Sequence, residues 1–65
     1  MIKLENLLNV RILKNMTQQD LAEASGVTQA QVSLYETGKA TPTMDTSKKL
    51  AKALDTTIDN LMGDA

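Results

Sequence analysis

Two helix-start signals, which lie close together near the centre of the chain, constrain the fold more than any other feature of this sequence. Thr17 with Asp20 has the spacing of a capping box, in which a hydroxyl and a second polar side chain satisfy backbone N–H groups at the start of a helix. Thr28 with Gln31 repeats the pattern. Between them lies Gly26, and glycine adopts the left-handed backbone angles that often end a helix without steric cost. The sequence therefore predicts two short helices joined by a tight turn.

The apolar residues of this segment occupy the positions that two steeply crossing helices require. A short turn brings the two backbones close together, which favours a small side chain at the crossing and a branched one opposite it. Ala22 and Val32 fit these roles, and Leu21 and Val27 supply inner contacts. Residues 17–38 are thus predicted to form a helix-turn-helix, a motif that points to DNA.

Three further helices are predicted around the motif. Apolar side chains recur at helical spacing over residues 3–14, which predicts a first helix there. Thr43 can cap a fourth helix over residues 44–54, and Thr57 can cap a last short helix that Gly63 ends. The expected architecture is all-α, with five helices in one compact domain that covers the whole chain of 65 residues.

Charge is the one compositional feature that argues against a nucleic-acid partner. Seven Lys and Arg residues against eight Asp and Glu residues give a formal net charge of -1, whereas nucleic-acid-binding domains are usually basic. Binding depends, however, on where the charges lie and on uncharged donors such as helix N-termini. We therefore expect few ionic phosphate contacts and a shallow dependence of DNA binding on salt concentration.

Composition excludes several classes of site. The absence of cysteine and histidine excludes disulfides, thiolate chemistry and zinc sites built on these ligands. The carboxylates are scattered and there is no glycine-rich phosphate loop, so we expect neither an enzyme nor a cofactor or metal site. No segment approaches the ~20 apolar residues of a membrane span or has the pattern of a signal peptide, which favours a cytoplasmic protein without membrane contact.

Further motifs surround the central segment in a fixed order. They are Arg11 in the first helix, TQQDLAEASGVTQAQVSLYETGK in the centre, Pro42 and Thr43 before the fourth helix, LAKAL at its end and IDNL in the last helix. With these motifs the chain resembles the XRE family, the Cro/cI-type or lambda-repressor-like helix-turn-helix domains. The resemblance implies a compact five-helix DNA-binding domain that usually acts as a dimer on a palindromic operator in double-stranded DNA. Such proteins are most often repressors and sometimes activators or antitoxins.

The resemblance implies that the second motif helix, residues 28–37, enters the major groove and contacts base edges near its start. Gln29 is the best candidate, because a carboxamide offers an acceptor and a donor side by side and so matches adenine; a solvated side chain is the alternative. Ala30 and Leu34 favour apolar contact with a thymine methyl group. Ser33 can reach either a base or a phosphate.

Neighbouring helix ends and the loop after the recognition helix are expected to hold the DNA backbone. The expected phosphate contacts are Gln18, Thr28, Thr37, Lys39 and Thr41. Gln18 is also expected to brace Gln29, and Thr28 also caps its helix. The alternative for Thr37, Lys39 and Thr41 is a loop exposed to solvent, because the sequence alone does not distinguish such a loop from one that contacts phosphate.

The family pattern also concerns residues outside the motif. It pairs Arg11 with Glu36, which predicts a buried or half-buried ion pair between the first helix and the end of the recognition helix. Ser47 stands where a large aliphatic residue is usual, and Asp55 and Thr56 replace the common glycine and valine. These departures predict looser packing around the fourth helix.

The resemblance implies that the dimer interface lies in the last helix. Ile58, Leu61 and Met62 would form it, with the two recognition helices ~34 Å apart so that they meet successive major grooves.

The first helix has a wider apolar stripe than a core-facing helix needs. Leu8, Ile12 and Leu13 widen it, either as additional core, which we favour, or as an exposed contact surface. The second reading supports an alternative function, in which the chain is a protein-interaction module or an antitoxin-type partner that binds another protein through its first helix. A second protein acting as a regulator of the DNA-binding form is compatible with either function.

Overall fold

The computed structural model describes residues 2–63, which form five α-helices and no strand. The helices are α1 (Leu7–Leu13), α2 (Gln18–Ser25), α3 (Gln29–Thr37), α4 (Met44–Ala53) and α5 (Ile58–Met62). This confirms the predicted all-α architecture. Within the same residues, no helix combines the length and the apolar character that crossing a membrane requires.

Threonine hydroxyls cap four of the five helices, as the sequence predicts. Each accepts the backbone N–H three residues further on, at 3.0 to 3.2 Å. The capping residues are Thr17, Thr28, Thr43 and Thr57. In α2 and α3 the capping boxes are complete, because the side chains of Asp20 and Gln31 bond back to the N–H of the cap residue. Such a cap typically contributes about 1 kcal/mol.

Residues with left-handed backbone angles follow four of the helices. Gly26 follows α2 with φ of +78°, as predicted, and Gly38 follows α3 with φ of +77°. Asn15 and Asp55 follow α1 and α4 with φ of +59° and +54°, although their side chains make this conformation more costly than it is for glycine. The helices therefore end abruptly, and short connections hold the motif in place.

The prediction of a first helix over residues 3–14 is wrong at its start, because α1 begins only at Leu7. The preceding segment packs against α5 instead of continuing the helix. The Asn6 N–H donates to the carbonyl oxygen of Leu61 at 2.9 Å, and the Leu4 side chain is 4% exposed. A long-range backbone bond has therefore replaced the first helical turn.

Ten apolar side chains, each at most 6% exposed, form the core. They come from all five helices, from the segment before α1 and from the segments between helices. They are Leu4, Leu7, Val10, Leu21, Val27, Val32, Leu50, Ala51, Leu54 and Leu61. Leu21, Val27 and Val32 confirm the role that the sequence assigns to the apolar residues of the motif, with Ala22 partly buried against them.

The favoured placement of Leu8, Ile12 and Leu13 in the core is wrong. Their exposed fractions are 39%, 56% and 80%. Because Leu7 and Val10 point into the core, a rotation of about 100° per residue turns Leu8 and Ile12 toward solvent. Leu13 lies nearer to Val10 around the helix but is the last residue of α1 and is the most exposed of the three. The outer side of α1 is therefore an exposed apolar face.

Ser47 is fully buried in α4, where the family pattern has a large aliphatic residue. Its hydroxyl donates to the carbonyl oxygen of Thr43 at 2.8 Å, so the buried polar group is satisfied within its own helix.

Candidate nucleic-acid interface

Helix α3 turns one face to the core and the other to solvent. Val32 is completely buried, and the helical period directs Ala30, Ser33 and Leu34 away from it. Gln29 lies only about 60° from Val32 around the helix and is accessible as the first residue of α3. Gln29 and Ala30 are exposed, Leu34 is 42% exposed and Ser33 is half-buried. The structure thus brings the four predicted base-contacting residues together on the solvent face of α3.

The two glutamines at the start of α3 differ in what holds them. The Gln31 Oε1 accepts from the Thr28 N–H at 3.4 Å and from the Thr28 hydroxyl at 3.2 Å, so this side chain is part of the cap. Within the described residues, no hydrogen bond engages the amide of Gln29. The carboxamide of Gln29 therefore remains available to a base edge, whereas that of Gln31 would have to leave its cap.

A buried ion pair fixes the far end of α3 to α1, as the sequence predicts. Arg11 donates to the Glu36 carboxylate through Nε and through Nη2, the second at 3.3 Å. Arg11 Nη1 also donates to the carbonyl oxygen of Met16 at 2.8 Å. The side chains of Arg11 and Glu36 are 12% and 3% exposed, respectively. The pair therefore ties α1 and the α1–α2 turn to α3.

The first residue of α2 joins the same network. Gln18 Nε2 donates to Glu36 Oε1 at 2.9 Å, and this bond takes the place of the predicted bracing of Gln29, which is not formed. One amide hydrogen of Gln18 is used in this way, while the other, and the amide oxygen, remain for a further partner. Gln18 lies at the N-terminus of α2, where a phosphate oxygen is favoured by the helix dipole.

The remaining predicted phosphate contacts lie at the end of α3 and in the loop after it. The Thr37 hydroxyl is exposed and donates to the carbonyl oxygen of Ser33 at 3.0 Å. The loop folds back over the helix, since the Lys39 N–H donates to the carbonyl oxygen of Leu34 at 3.0 Å. The Lys39 side chain is exposed and Thr41 is half-buried. These side chains form one margin of the α3 surface.

Ser25 shapes the turn of the motif, and sequence reasoning missed it. Its hydroxyl donates to the carbonyl oxygen of Leu21 at 2.7 Å and accepts the N–H of Val27 at 3.2 Å. It is 9% exposed. A serine directly before a glycine that ends a helix is the signal that could have identified it, because its hydroxyl can bond to backbone groups on both sides of the turn.

Cationic side chains are sparse on this surface. The charge of Arg11 is offset by Glu36, which leaves the exposed Lys39 beside α3. Lys48, Lys49 and Lys52 lie on α4, and Lys49 pairs with Asp45 at 3.9 Å. No group of three or more carboxylates within residues 2–63 is arranged to hold a metal ion. The chemistry of the surface is therefore that of amides, hydroxyls and methyl groups.

Comparison with known proteins gives three curated relatives. The chain is 40% identical over 58 residues to the HTH-type transcriptional activator BcrR of Enterococcus faecalis, covering 89% of this chain and 28% of BcrR. It is 39% identical over 59 residues to the cryptic phage CTXphi transcriptional repressor RstR of Vibrio cholerae, covering 91% of this chain and 53% of RstR. The uncharacterized HTH-type transcriptional regulator YqaE of Bacillus subtilis is 34% identical over 58 residues, which cover 89% of this chain and 50% of YqaE.

The chain thus spans 28% to 53% of the length of these relatives. No solved structure matches it significantly. A family model described as helix-turn-helix matches residues 7–61, which include all five helices almost to the end of α5. The capped motif of the chain, its five-helix architecture and the match to this family model all indicate the same fold. The chain belongs to the XRE family of helix-turn-helix proteins.

Proposed function

We propose that the protein is a sequence-specific DNA-binding transcriptional regulator, which binds a palindromic operator in double-stranded DNA as a homodimer with α3 in the major groove. The observation that carries this proposal is the division of α3 into two faces. Val32 and Glu36 hold the helix in the fold, while Ala30 and Leu34 lie exposed on the opposite side and Gln29 lies exposed in the first turn. A helix that is fixed in the fold and exposes side chains able to contact base edges suits the major groove.

Base recognition on this surface rests on one strong hydrogen-bonding side chain and on apolar contacts. Gln29 can bond bidentately to adenine, and Ala30 and Leu34 can contact thymine methyl groups. Ser33 is half-buried and can donate to a base or a phosphate. We therefore expect an A·T-rich half-site with few strongly specified positions.

The DNA backbone would be held from both ends of the motif. Gln18 and Thr28 lie at the N-termini of α2 and α3, where backbone N–H groups and the helix dipole favour a phosphate. Thr37, Lys39 and Thr41 would hold the phosphates on the other side of the recognition helix. Most of these contacts are uncharged, which supports a shallow salt dependence.

Two copies are needed to meet two successive major grooves. The longest extent of the chain is 27 Å, which is shorter than the ~34 Å that separates those grooves on one side of the duplex. The expected interface in α5 must be revised, because Leu61 is completely buried in the core. Met62, which is 43% exposed, and the half-buried Ile58 remain as candidates.

Repression is the regulatory outcome that we propose first. A dimer that covers a promoter excludes other proteins by occupancy alone, whereas activation requires an additional contact with the transcription machinery. One relative bears the name of a repressor and another that of an activator, so both outcomes occur among similar proteins.

Selection from a randomised duplex library tests this function. We expect the wild type to enrich a palindrome, and Gln29→Ala to lose preference at one position of each half-site at a cost of about 1 to 3 kcal/mol in discrimination. Gln19→Ala is the matched control, because Gln19 is exposed on α2 and bonds to Glu23. A folded wild type that enriches no sequence would refute the proposal. Equal effects of the two substitutions would refute the role of Gln29.

The stoichiometry of the complex tests the dimer separately. Sedimentation of the protein with the selected operator should give two chains per duplex. One chain per duplex at saturating protein would contradict the homodimer without affecting the role of α3.

The exposed face of α1 favours a second candidate function, binding to another protein. Leu8, Ile12 and Leu13 are unusually exposed for a helix of so small a domain. In this case α1 would be the functional surface, and the solvent face of α3 would not distinguish one DNA sequence from another. Selective DNA binding that survives Leu13→Lys unchanged favours the first function, whereas a folded chain without selective binding favours the second.

A further inference from the structure

A cavity of about 210 Å³ lies between the segment that precedes α1, the end of α3 and the loop that follows α3. Lys3 and Glu5 line it on one side, and Thr37, Gly38 and Thr41 line it on the other. The buried side chain of Leu4 also contributes to its wall. The cavity thus joins a segment distant in sequence to two of the side chains that the proposed function assigns to the DNA backbone.

The segment before α1 is fixed to the rest of the domain at residues 4–6. The Leu4 side chain is part of the core, the Leu7 N–H donates to the carbonyl oxygen of Leu4 at 3.1 Å, and the Asn6 N–H donates to that of Leu61 at 2.9 Å. Lys3 is therefore tethered directly to a fixed residue. A cation presented in this way loses less conformational entropy on binding than one on a free terminus.

The chemistry of the cavity suits a phosphate better than an organic effector. Its volume lies below the ~300 Å³ at which small-molecule pockets usually begin. Its outer side chains include the Lys3 ammonium group and the Thr41 hydroxyl, which can donate hydrogen bonds to phosphate oxygens. The Thr37 hydroxyl would have to turn away from the carbonyl oxygen of Ser33 to do the same. Glu36 also lines the cavity, and its charge is offset by Arg11. Within residues 2–63, the Lys3 ammonium forms no ion pair with a carboxylate, and its side chain is exposed.

We propose that Lys3 is a further contact to the DNA backbone, which acts together with Thr37 and Thr41 on a phosphate flanking the recognition helix. This inference rests on the proposed function. It adds one cation to a surface where Lys39 is otherwise the exposed cation beside α3. Glu5 lines the same cavity, and its carboxylate would oppose the same phosphate.

The salt dependence of operator binding tests the proposal. Fluorescence anisotropy with the selected operator should be measured between 50 and 300 mM KCl for the wild type, Lys3→Gln, Lys3→Arg and Glu5→Gln. Loss of one phosphate contact should make the slope of log Kobs against log[salt] less negative by about 0.9, which corresponds to roughly 8-fold weaker binding at 0.1 M. Lys3→Arg should retain the wild-type slope, and Glu5→Gln should strengthen binding.

Lys52→Gln is the matched control, since it removes one exposed lysine from α4 and does not alter the cavity. Charges separated by more than a Debye length of ~8 to 10 Å are largely screened, so this variant should bind within 2-fold of the wild type. Equal slopes for Lys3→Gln and Lys52→Gln would overturn the proposal while leaving the DNA-binding function intact. A wild type that binds no duplex would overturn both. Thermal denaturation of each variant shows that a change in slope does not arise from unfolding.

Discussion

Removing the guanidinium group of Arg11 should destabilise the fold far more than breaking an exposed ion pair. In Arg11→Met the carboxylate of Glu36, which is 3% exposed, would lose its only cationic partner among the described residues. Breaking a buried pair from one side typically costs about 3 to 5 kcal/mol, because the remaining charge stays buried. Gln18 still donates to Glu36 at 2.9 Å, so we expect a cost near the lower end, about 3 kcal/mol.

This loss is large for a chain of 65 residues, whose total stability should be roughly 3 to 10 kcal/mol. It corresponds to a fall in Tm of at least about 12 °C. Urea denaturation followed by circular dichroism measures it as a lower midpoint at an unchanged slope.

The matched control is Lys49→Met, which breaks the pair between Lys49 and Asp45. These side chains are 58% and 84% exposed, so the expected cost is at most about 0.5 kcal/mol. The double variant Arg11→Met with Glu36→Gln should be more stable than Arg11→Met alone, because it removes the isolated charge. A cost for Arg11→Met no greater than that of Lys49→Met, or a double variant less stable than the single one, would refute the reasoning.

Three further substitutions, one of them with a control substitution, test other parts of the fold. Ser25→Ala should cost about 1 to 3 kcal/mol, because it leaves the buried N–H of Val27 without an acceptor. Ser47→Ala is its control and should cost less than about 0.5 kcal/mol, because that hydroxyl only donates to a carbonyl oxygen already bonded by a backbone N–H; equal costs would contradict the role of Ser25 in the turn. Asp55→Gly should raise the free energy of unfolding by about 0.5 to 1 kcal/mol, since Asp55 has φ of +54°, and a lower Tm would show that its side chain makes a compensating contact. Leu13→Lys, at a position 80% exposed, should change stability by less than about 0.5 kcal/mol, and a larger loss would mean that α1 packs against something in solution.

The helix starts of the motif could be predicted because their chemistry is local. A cap joins residues three apart in sequence, so Thr17 with Asp20 and Thr28 with Gln31 identify α2 and α3 without knowledge of the rest of the fold. The two glycines that end these helices are equally local signals.

The errors lie where distant parts of the chain meet. Residues 3–14 have a helical pattern, but whether the first turn forms depends on the bond from Asn6 to Leu61, which no local pattern reveals. The apolar stripe of α1 gave no indication that Leu8 and Ile12 face away from the core, because spacing defines a face and not its partner.

In the candidate site, too, local features could be predicted from the sequence and contacts between distant residues could not. The exposure of Ala30 and Leu34 follows from the helical period once Val32 is known to be buried. Gln29 lies three residues before Val32, so its exposure follows from its place at the start of the helix and not from the period. The bond from Gln18 to Glu36 is not predicted by the sequence, since the family pattern favours Gln29, at the other end of α3, as the partner of Gln18. Only the pairing of Arg11 with Glu36 was anticipated across such a distance, and that came from the family resemblance.

The most direct test of the central claim, that the solvent face of α3 recognises DNA sequence, is an anisotropy titration with two duplexes of equal length at 0.15 M KCl. One carries the operator obtained by selection, and the other has the same base composition in scrambled order. We expect the operator to bind at least about 10³-fold more tightly, the lower limit of typical specific recognition. Equal affinities for the two duplexes, from a chain shown to be folded, would contradict the claim.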